Sequence, residues 1–273
     1  IEGFIGGVAA DEPRAALEGQ KILSAGGNAV DAATAVYFTL AVTLPSRASL
    51  GGGGICMVFD HETKNILALD FLSRVPINIP KTASRPSAVP GNPLGFFILH
   101  NRFGRFQWES LVAIGEKLAR LGTIASRVLI NDLEPVATAL IADAESRRVF
   151  LQKNGNLISE GTLMRQLNLA SVLSQLKNNG PSELYRGKFS QRFVNGVKRA
   201  GGSISSKDLL SYKPEWREVL SRKFDNYEIN FAPPPASGGL VSAQMFGMLE
   251  RNELFEDAST NEKYHILVET ALR

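Results

Sequence analysis

The chain has 273 residues, 44% hydrophobic and 21% charged, a balance that suits a globular protein long enough for one large core, so a single domain over 1–273 is expected. Its formal net charge of +3, with basic residues scattered along the chain, excludes the concentrated basic footprint of a nucleic-acid binder. The longest apolar runs, such as Ala35 to Leu44, are too short and interrupted to span a bilayer, so no membrane partner is expected, and a single cysteine, Cys56, permits no internal disulfide framework.

Ile1-Glu2-Gly3-Phe4 shows no basic n-region and no signal-type apolar stretch, which leaves the compartment open. Asp11-Glu12-Pro13 are helix-start residues, and the stripe through Ala16, Leu17, Gln20, Ile22 and Leu23 stops at Gly26-Gly27, a left-handed C-terminal stop. A second helix runs from Asn28 to about Ala41 and is built mostly of small residues, which permit close approach of a neighbour. Asn28 is best placed as its cap, satisfying free amides of the first turn. The run Gly51 to Gly54 is followed by a strand and by no Gly-Lys-Ser/Thr, so it predicts a backbone-packing loop and not a phosphate cradle. Four consecutive glycines lose much chain entropy on folding, and at least one positive φ is expected among them.

Ile55 to Asp60 and Ile66 to Phe71 predict an antiparallel hairpin closed by the polar turn His61 to Asn65. Residues 108–180 predict mainly helix, broken at Gly122 and Asn154-Gly155. Residues 227–232 predict a strand that ends where Pro233, Pro234 and Pro235 forbid further ladder pairing. Glu262 to Arg273 predicts a further helix. Long helical blocks flanking hairpin strands suggest a sandwich of helices on a largely antiparallel sheet.

The usual catalytic constellations are absent from the sequence. His61, His100 and His265 lie far apart with no cysteine or carboxylate at metal-ligand spacing, so surface or packing roles are expected and no cofactor is implied. No Gly-x-Ser-x-Gly elbow occurs. Ser174-Gln175-Leu176-Lys177 has Ser-x-x-Lys spacing but sits on a helix through Leu167, Ala170, Leu173 and Leu176, where helix surface is the better reading.

Gly26-Gly27-Asn28-Ala29-Val30-Asp31-Ala32-Ala33, followed by Gly51 to Gly54, resembles the paired signature of the γ-glutamyltranspeptidase family. The resemblance continues, in the family's order, through Ser87 to Gly91, Phe103-Gly104, Gly180-Pro181, Leu184 to Gly187, Gly201-Gly202, Asp208-Leu209, Tyr212 and Pro233 to Gly239, where Ala236 replaces a serine. It implies an α+β fold, a four-layer αββα sandwich of the N-terminal nucleophile hydrolase type. It also implies a precursor that cuts itself before a threonine, whose new α-amine, with a pKa of about 7.7–8, accepts the hydroxyl proton near neutral pH. Thr260 lies inside Ser259-Thr260-Asn261 and nothing here resembles the family's Thr-Thr-His junction, so this chain corresponds to the large subunit, with its partner the small subunit from the same precursor. No catalytic residue is then expected on this chain. The nucleophile and most substrate contacts would lie on the partner.

The resemblance further implies one arginine on the large subunit to grip the substrate's α-carboxylate, opening an Arg-Glu pair after a strand. Here Leu72-Ser73 occupy that place in Leu69 to Pro76. Two residues can substitute as substrate-binding groups: Arg74, two positions on and on the same face of an extended segment, and Arg47, directly before the glycine loop. Three activities follow: a γ-glutamyl transferase or hydrolase acting on glutathione-like small-molecule amides, a same-fold amidase or acylase of different acyl specificity, or a non-catalytic homologue.

Overall fold

The computed structural model describes residues 6–224, 226–250 and 255–273, and the N-terminal tetrapeptide Ile1 to Phe4 lies outside them. In chain order the elements are α1 (Pro13–Ser24), α2 (Ala29–Thr43), α3 (Pro45–Ala48), β1 (Ile55–Phe59), β2 (Ile66–Asp70), α4 (Asn92–Phe103) and α5 (Trp108–Leu121). Then come β3 (Thr123–Ile124), α6 (Arg127–Leu133), a 3-10 turn (Glu134–Val136), α7 (Ala137–Ala142), α8 (Ala144–Phe150), β4 (Leu163–Met164), α9 (Leu167–Asn179) and α10 (Ser182–Tyr185). The chain ends with α11 (Lys188–Arg199), α12 (Ser206–Ser211), β5 (Glu215–Glu218), β6 (Leu220–Phe224), β7 (Tyr227–Phe231), α13 (Ser237–Glu250) and α14 (Thr260–Leu272). They form two compact units, one from the residues before Gly54 with Phe71–Pro214, the other from Gly54–Asp70 with Glu215–Arg273.

The first unit is helical. The Glu12 carboxylate caps α1 by accepting from the Arg14 and Ala15 amides, and Gly26, at φ +94°, turns the chain out of it. Asn28 and Asp31 form a reciprocal capping box on α2: Asn28 Oδ1 accepts from Val30 and Asp31 amides at 3.0 Å, and Asp31 Oδ2 accepts from the Asn28 amide at 3.0 Å. The small residues of α2 let its neighbours come close. A Cβ added at Gly19 of α1 would lie 2.6 Å from Val36, and one at Gly115 of α5 would lie 2.4 Å from the Phe38 carbonyl.

On α5, Trp108, Leu111, Val112, Gly115 and Ala119 recur at helical spacing and are buried. Their core joins Tyr37, Phe38 and Val42 of α2 to Ala170, Leu173 and Leu176 of α9, and Trp108 Nε1 donates to the Leu176 carbonyl at 2.9 Å. Lys177, from the Ser-x-x-Lys match, donates to Glu116 at 2.6 Å and so ties α9 to α5. A second cluster packs Val89 with Leu184, Tyr185, Val194, Ile204, Leu209 and Tyr212. The expected break at Gly122 occurs, with φ +102°, and leads into the short β3–β4 pair.

The second unit holds the predicted hairpin. β1 and β2 pair antiparallel with Ile55 opposite Asp70, and β5 adds to the other edge of β2 with Leu67 opposite Glu218. Asp70 is fully buried and accepts from Arg217 Nε at 2.9 Å, the pairing a buried carboxylate requires. β6 and β7 form a separate antiparallel pair against which α13 packs. The strand predicted at 227–232 is β7; the sequence offered no expectation of β5 or β6, whose side chains are mostly exposed and carry no apolar alternation. α14 begins earlier than predicted, at Thr260, because Ser259 and Glu262 make a capping box.

The glycine run corrects one expectation. None of Gly51 to Gly54 has a positive φ; the positive-φ glycines among the described residues lie elsewhere. What these positions need is room. A Cβ on Gly53 would lie 2.3 Å from the Ser73 nitrogen and 2.6 Å from the Phe71 carbonyl oxygen.

Candidate functional site

The segment Phe71 to Arg74 is anchored by backbone contacts within the first unit. Arg74 and Val89 exchange backbone hydrogen bonds, Arg74 N to Val89 O at 3.3 Å and Val89 N to Arg74 O at 2.8 Å. The Val-Pro-Gly turn then carries the chain back across the segment. A Cβ on Gly91 would stand 1.8 Å from the Phe71 carbonyl oxygen, so only glycine fits there.

The same turn holds the glycine loop. The Gly91 and Asn92 amides donate to the Gly52 carbonyl at 2.8 and 3.0 Å, and Asn92 Nδ2 donates to the Ser49 carbonyl at 2.8 Å. Below, the Phe71 ring packs on Gly95 and edge-on to Phe96, centroids 5.5 Å apart, and Phe96 stacks on Tyr37 at 4.1 Å. The loop, the segment and the turn are thus one backbone-to-backbone frame. Phe71, Val89 and Asn92 of this frame are buried, whereas Leu72, Ser73 and Arg74 are half-buried.

Two tyrosines close the frame. Tyr212 donates its hydroxyl to the Leu72 carbonyl at 3.1 Å, and Tyr185 donates to the Pro90 carbonyl at 2.7 Å; their rings stack 5.8 Å apart. Burial first, then neighbouring Tyr212, pushes the Tyr185 phenol far above its ordinary pKa, so it stays a donor. Asp208, at the start of α12, accepts from the Ile77 amide at 2.6 Å and from the Ser205 amide and hydroxyl at 2.8 and 2.5 Å. Burial would raise its pKa, but the bonds from Ser205 and Ile77 outweigh that and hold it below the ordinary value.

The structure places the two predicted arginines differently. Arg74 is half-buried and lies in the frame itself, two residues beyond Leu72. Arg47, on α3, makes a bidentate pair with Asp132, Nε to Oδ2 at 2.8 Å and Nη2 to Oδ1 at 3.1 Å, and a third contact with Asp11 at 3.2 Å. These hydrogen bonds, Asp132 first, raise its pKa further and lower that of Asp132. His61 and His265 are exposed, whereas His100 is buried with Nε2 2.8 Å from the Phe106 carbonyl. Among the described residues no cluster of three or more His, Cys, Asp or Glu side chains is able to hold a metal. Tyr185, Tyr212 and Asn92 entered the sequence reading, at most, as family motif positions. The available signal was that a buried phenol needs a hydrogen-bond partner, but the partners are 95 and 140 residues away.

A mixed α+β chain with a glycine-framed segment leaving a hairpin strand has the N-terminal nucleophile hydrolase type of fold, as its structural neighbours do. The chain belongs to the γ-glutamyltranspeptidase family, matching the model described as Gamma-glutamyltranspeptidase over residues 15–272. It is 32% identical over 265 residues to a protein of Escherichia coli (strain K12) named glutathione hydrolase proenzyme, covering 91% of this chain and 46% of that relative. It superposes on the Helicobacter pylori γ-glutamyltranspeptidase with a TM-score of 0.89 at 29% identity, covering 99% of this chain and 82% of that one. It also superposes on the Bacillus anthracis transpeptidase enzyme CapD with a TM-score of 0.84 at 26% identity, covering 98% of this chain and 89% of that one. The chain spans about half the length of the curated relatives it matches. Among the described residues no helix is long and apolar enough to cross a membrane.

Proposed function

We propose that this chain is the large-subunit part of a γ-glutamyl transferase or hydrolase, acting on glutathione-like γ-glutamyl amides. In this reading, residues 1–273 fold as part of one domain with a small subunit from the same precursor. That partner supplies an N-terminal threonine, which attacks the amide to form a threonyl ester and release an amine; water or a second amine then takes the acyl group. The family match over residues 15–272 carries the proposal. The name proenzyme on the Escherichia coli relative supports the precursor.

Within it, Arg74 is the substrate-binding group that replaces the arginine missing at Leu72, because it is anchored in the frame. Arg47 is the other candidate, and gripping a substrate requires it to give up Asp132 and Asp11. A charge-assisted arginine–carboxylate contact is strong, so Arg74→Ala should raise KM for a γ-glutamyl anilide about tenfold or more and leave self-cleavage intact. Arg47→Ala should leave that KM near wild type.

Leu72 favours a second reading, an acylase with no α-carboxylate clamp. Comparing a γ-glutamyl anilide with a simple acyl anilide of similar length, on the wild-type precursor and both variants, separates the two. Preference for the simple acyl compound replaces the first reading by the second. A precursor that neither cuts itself nor turns over either anilide is a non-catalytic homologue.

A further inference from the structure

The pair Asp208 and Tyr212 has no part in that chemistry, yet both ends of α12 reach the same stretch of chain. At one end the Asp208 carboxylate holds the Ile77 amide at 2.6 Å; at the other the Tyr212 hydroxyl holds the Leu72 carbonyl at 3.1 Å. The two attachment points straddle Arg74, whose own backbone is bridged to Val89. α12 is itself fixed, by the Ser205–Asp208 capping box and by Leu209 and Tyr212 in the cluster around Val89. The Tyr212 hydroxyl packs directly on the turn, so close that a Cβ added at Gly91 would stand 2.5 Å from it. Residues 72–77 are therefore set in position by a rigid two-point bracket made elsewhere in the sequence.

We infer that Tyr212 is a positioning residue for acyl-donor binding: through the Leu72 carbonyl it fixes where the 72–74 side chains meet the donor. The inference rests on the proposed function. It assigns Tyr212 a role in donor affinity and none in the bond-making steps, because its hydroxyl is buried and spent on a backbone carbonyl. Tyr185 is the matched comparison. It is equally buried, stacks on the same ring and also donates to a carbonyl, but to Pro90, outside the bracketed stretch.

The test uses the full precursor as wild type, Tyr212→Phe and Tyr185→Phe, each losing one hydroxyl. It measures KM and kcat for the γ-glutamyl and simple acyl anilides and backbone hydrogen exchange over residues 72–77. Tyr212→Phe should raise KM for the preferred anilide by about threefold to tenfold with kcat within about twofold, and speed exchange in 72–77. Tyr185→Phe, which frees the Pro90 carbonyl outside the bracketed stretch, should raise KM by a clearly smaller factor. An unchanged KM in Tyr212→Phe, or an equal rise in both variants, overturns the inference, the latter by reducing both effects to loosened packing. A wild type inactive on both anilides defeats the proposed function instead. The exchange measurement then still decides the bracket, which is overturned if 72–77 exchanges as in wild type.

Discussion

The N-terminus of α2 and the glycine loop are both motif regions, and they earn their sequences by opposite means. At α2 the side chains do the holding. Asp31 is fully buried, and its carboxylate accepts from the Asn28 amide at 3.0 Å, the Arg105 amide at 2.9 Å and the Phe106 amide at 3.2 Å. Asn28 Nδ2 adds a bond to the Phe103 carbonyl. One capping box thus secures both its own helix and the chain beyond α4. In the glycine loop, by contrast, the absence of a side chain is the function. Gly53 lets two stretches of backbone touch, and Gly52 offers a carbonyl to two amides. A polar motif fails by losing bonds, a glycine motif by gaining atoms.

That contrast can be broken experimentally. The largest effect is expected at Asp31→Ala, which strands three amide donors and should lower stability by about 3 kcal/mol or more; urea unfolding of the precursor measures it. A loss under about 1 kcal/mol there would mean the carboxylate is replaceable by water. Next, Gly53→Ala should cost about 2–3 kcal/mol, since its neighbours are backbone atoms that cannot swing away. Gly52→Ala should cost less, because the nearest atom is the Asn92 side-chain nitrogen at 2.9 Å. Gly51→Ala, whose nearest contact is Ser49 Oγ at 3.7 Å, should fall within about 0.5 kcal/mol of wild type. Equal losses at all three would restore an entropic explanation of the run.

The smallest effect is acid sensitivity at α12. The folded-state pKa of Asp208 is depressed, so its stabilisation is complete above the unfolded carboxylate value of about 3.9 and is lost as pH falls through the folded value. The stability gap between wild type and Asp208→Asn should therefore be constant near neutrality and shrink below about pH 4. A gap that widens in acid would contradict the ionised carboxylate.

Legibility in the sequence tracked the separation of the partners. The α2 cap, the β1–β2 hairpin and the stop at Gly26 depend on residues within a few positions of each other, and local chemistry predicts them. Asn28 and Asp31 gave no sign that they would bind 103–106, about 75 residues away. Arg47 looked available for a ligand because Asp132 is 85 residues distant. The same limit hid the reason for the glycines, since the clashing atoms belong to Phe71 and Ser73. β5 and β6 were missed for a different cause: exposed strands rich in charge carry little of the apolar alternation that marks a half-buried strand.

Helix α2 lies between two glycine contacts, Gly19 of α1 against Val36 and Gly115 of α5 against the Phe38 carbonyl. These do not give equally, since Val36 offers a side chain and Phe38 a main-chain oxygen. An alanine at Gly19 meets only side chains, Val36 at 2.6 Å and Val8 at 2.9 Å, and trimming those two makes room for it, whereas no residue chosen at position 38 removes the oxygen facing Gly115. Positions 8, 19 and 36 can therefore exchange volume among themselves, while position 115 has no compensating partner and requires glycine. Two glycines packed on one helix carry different evolutionary freedom, set by which kind of atom each one meets.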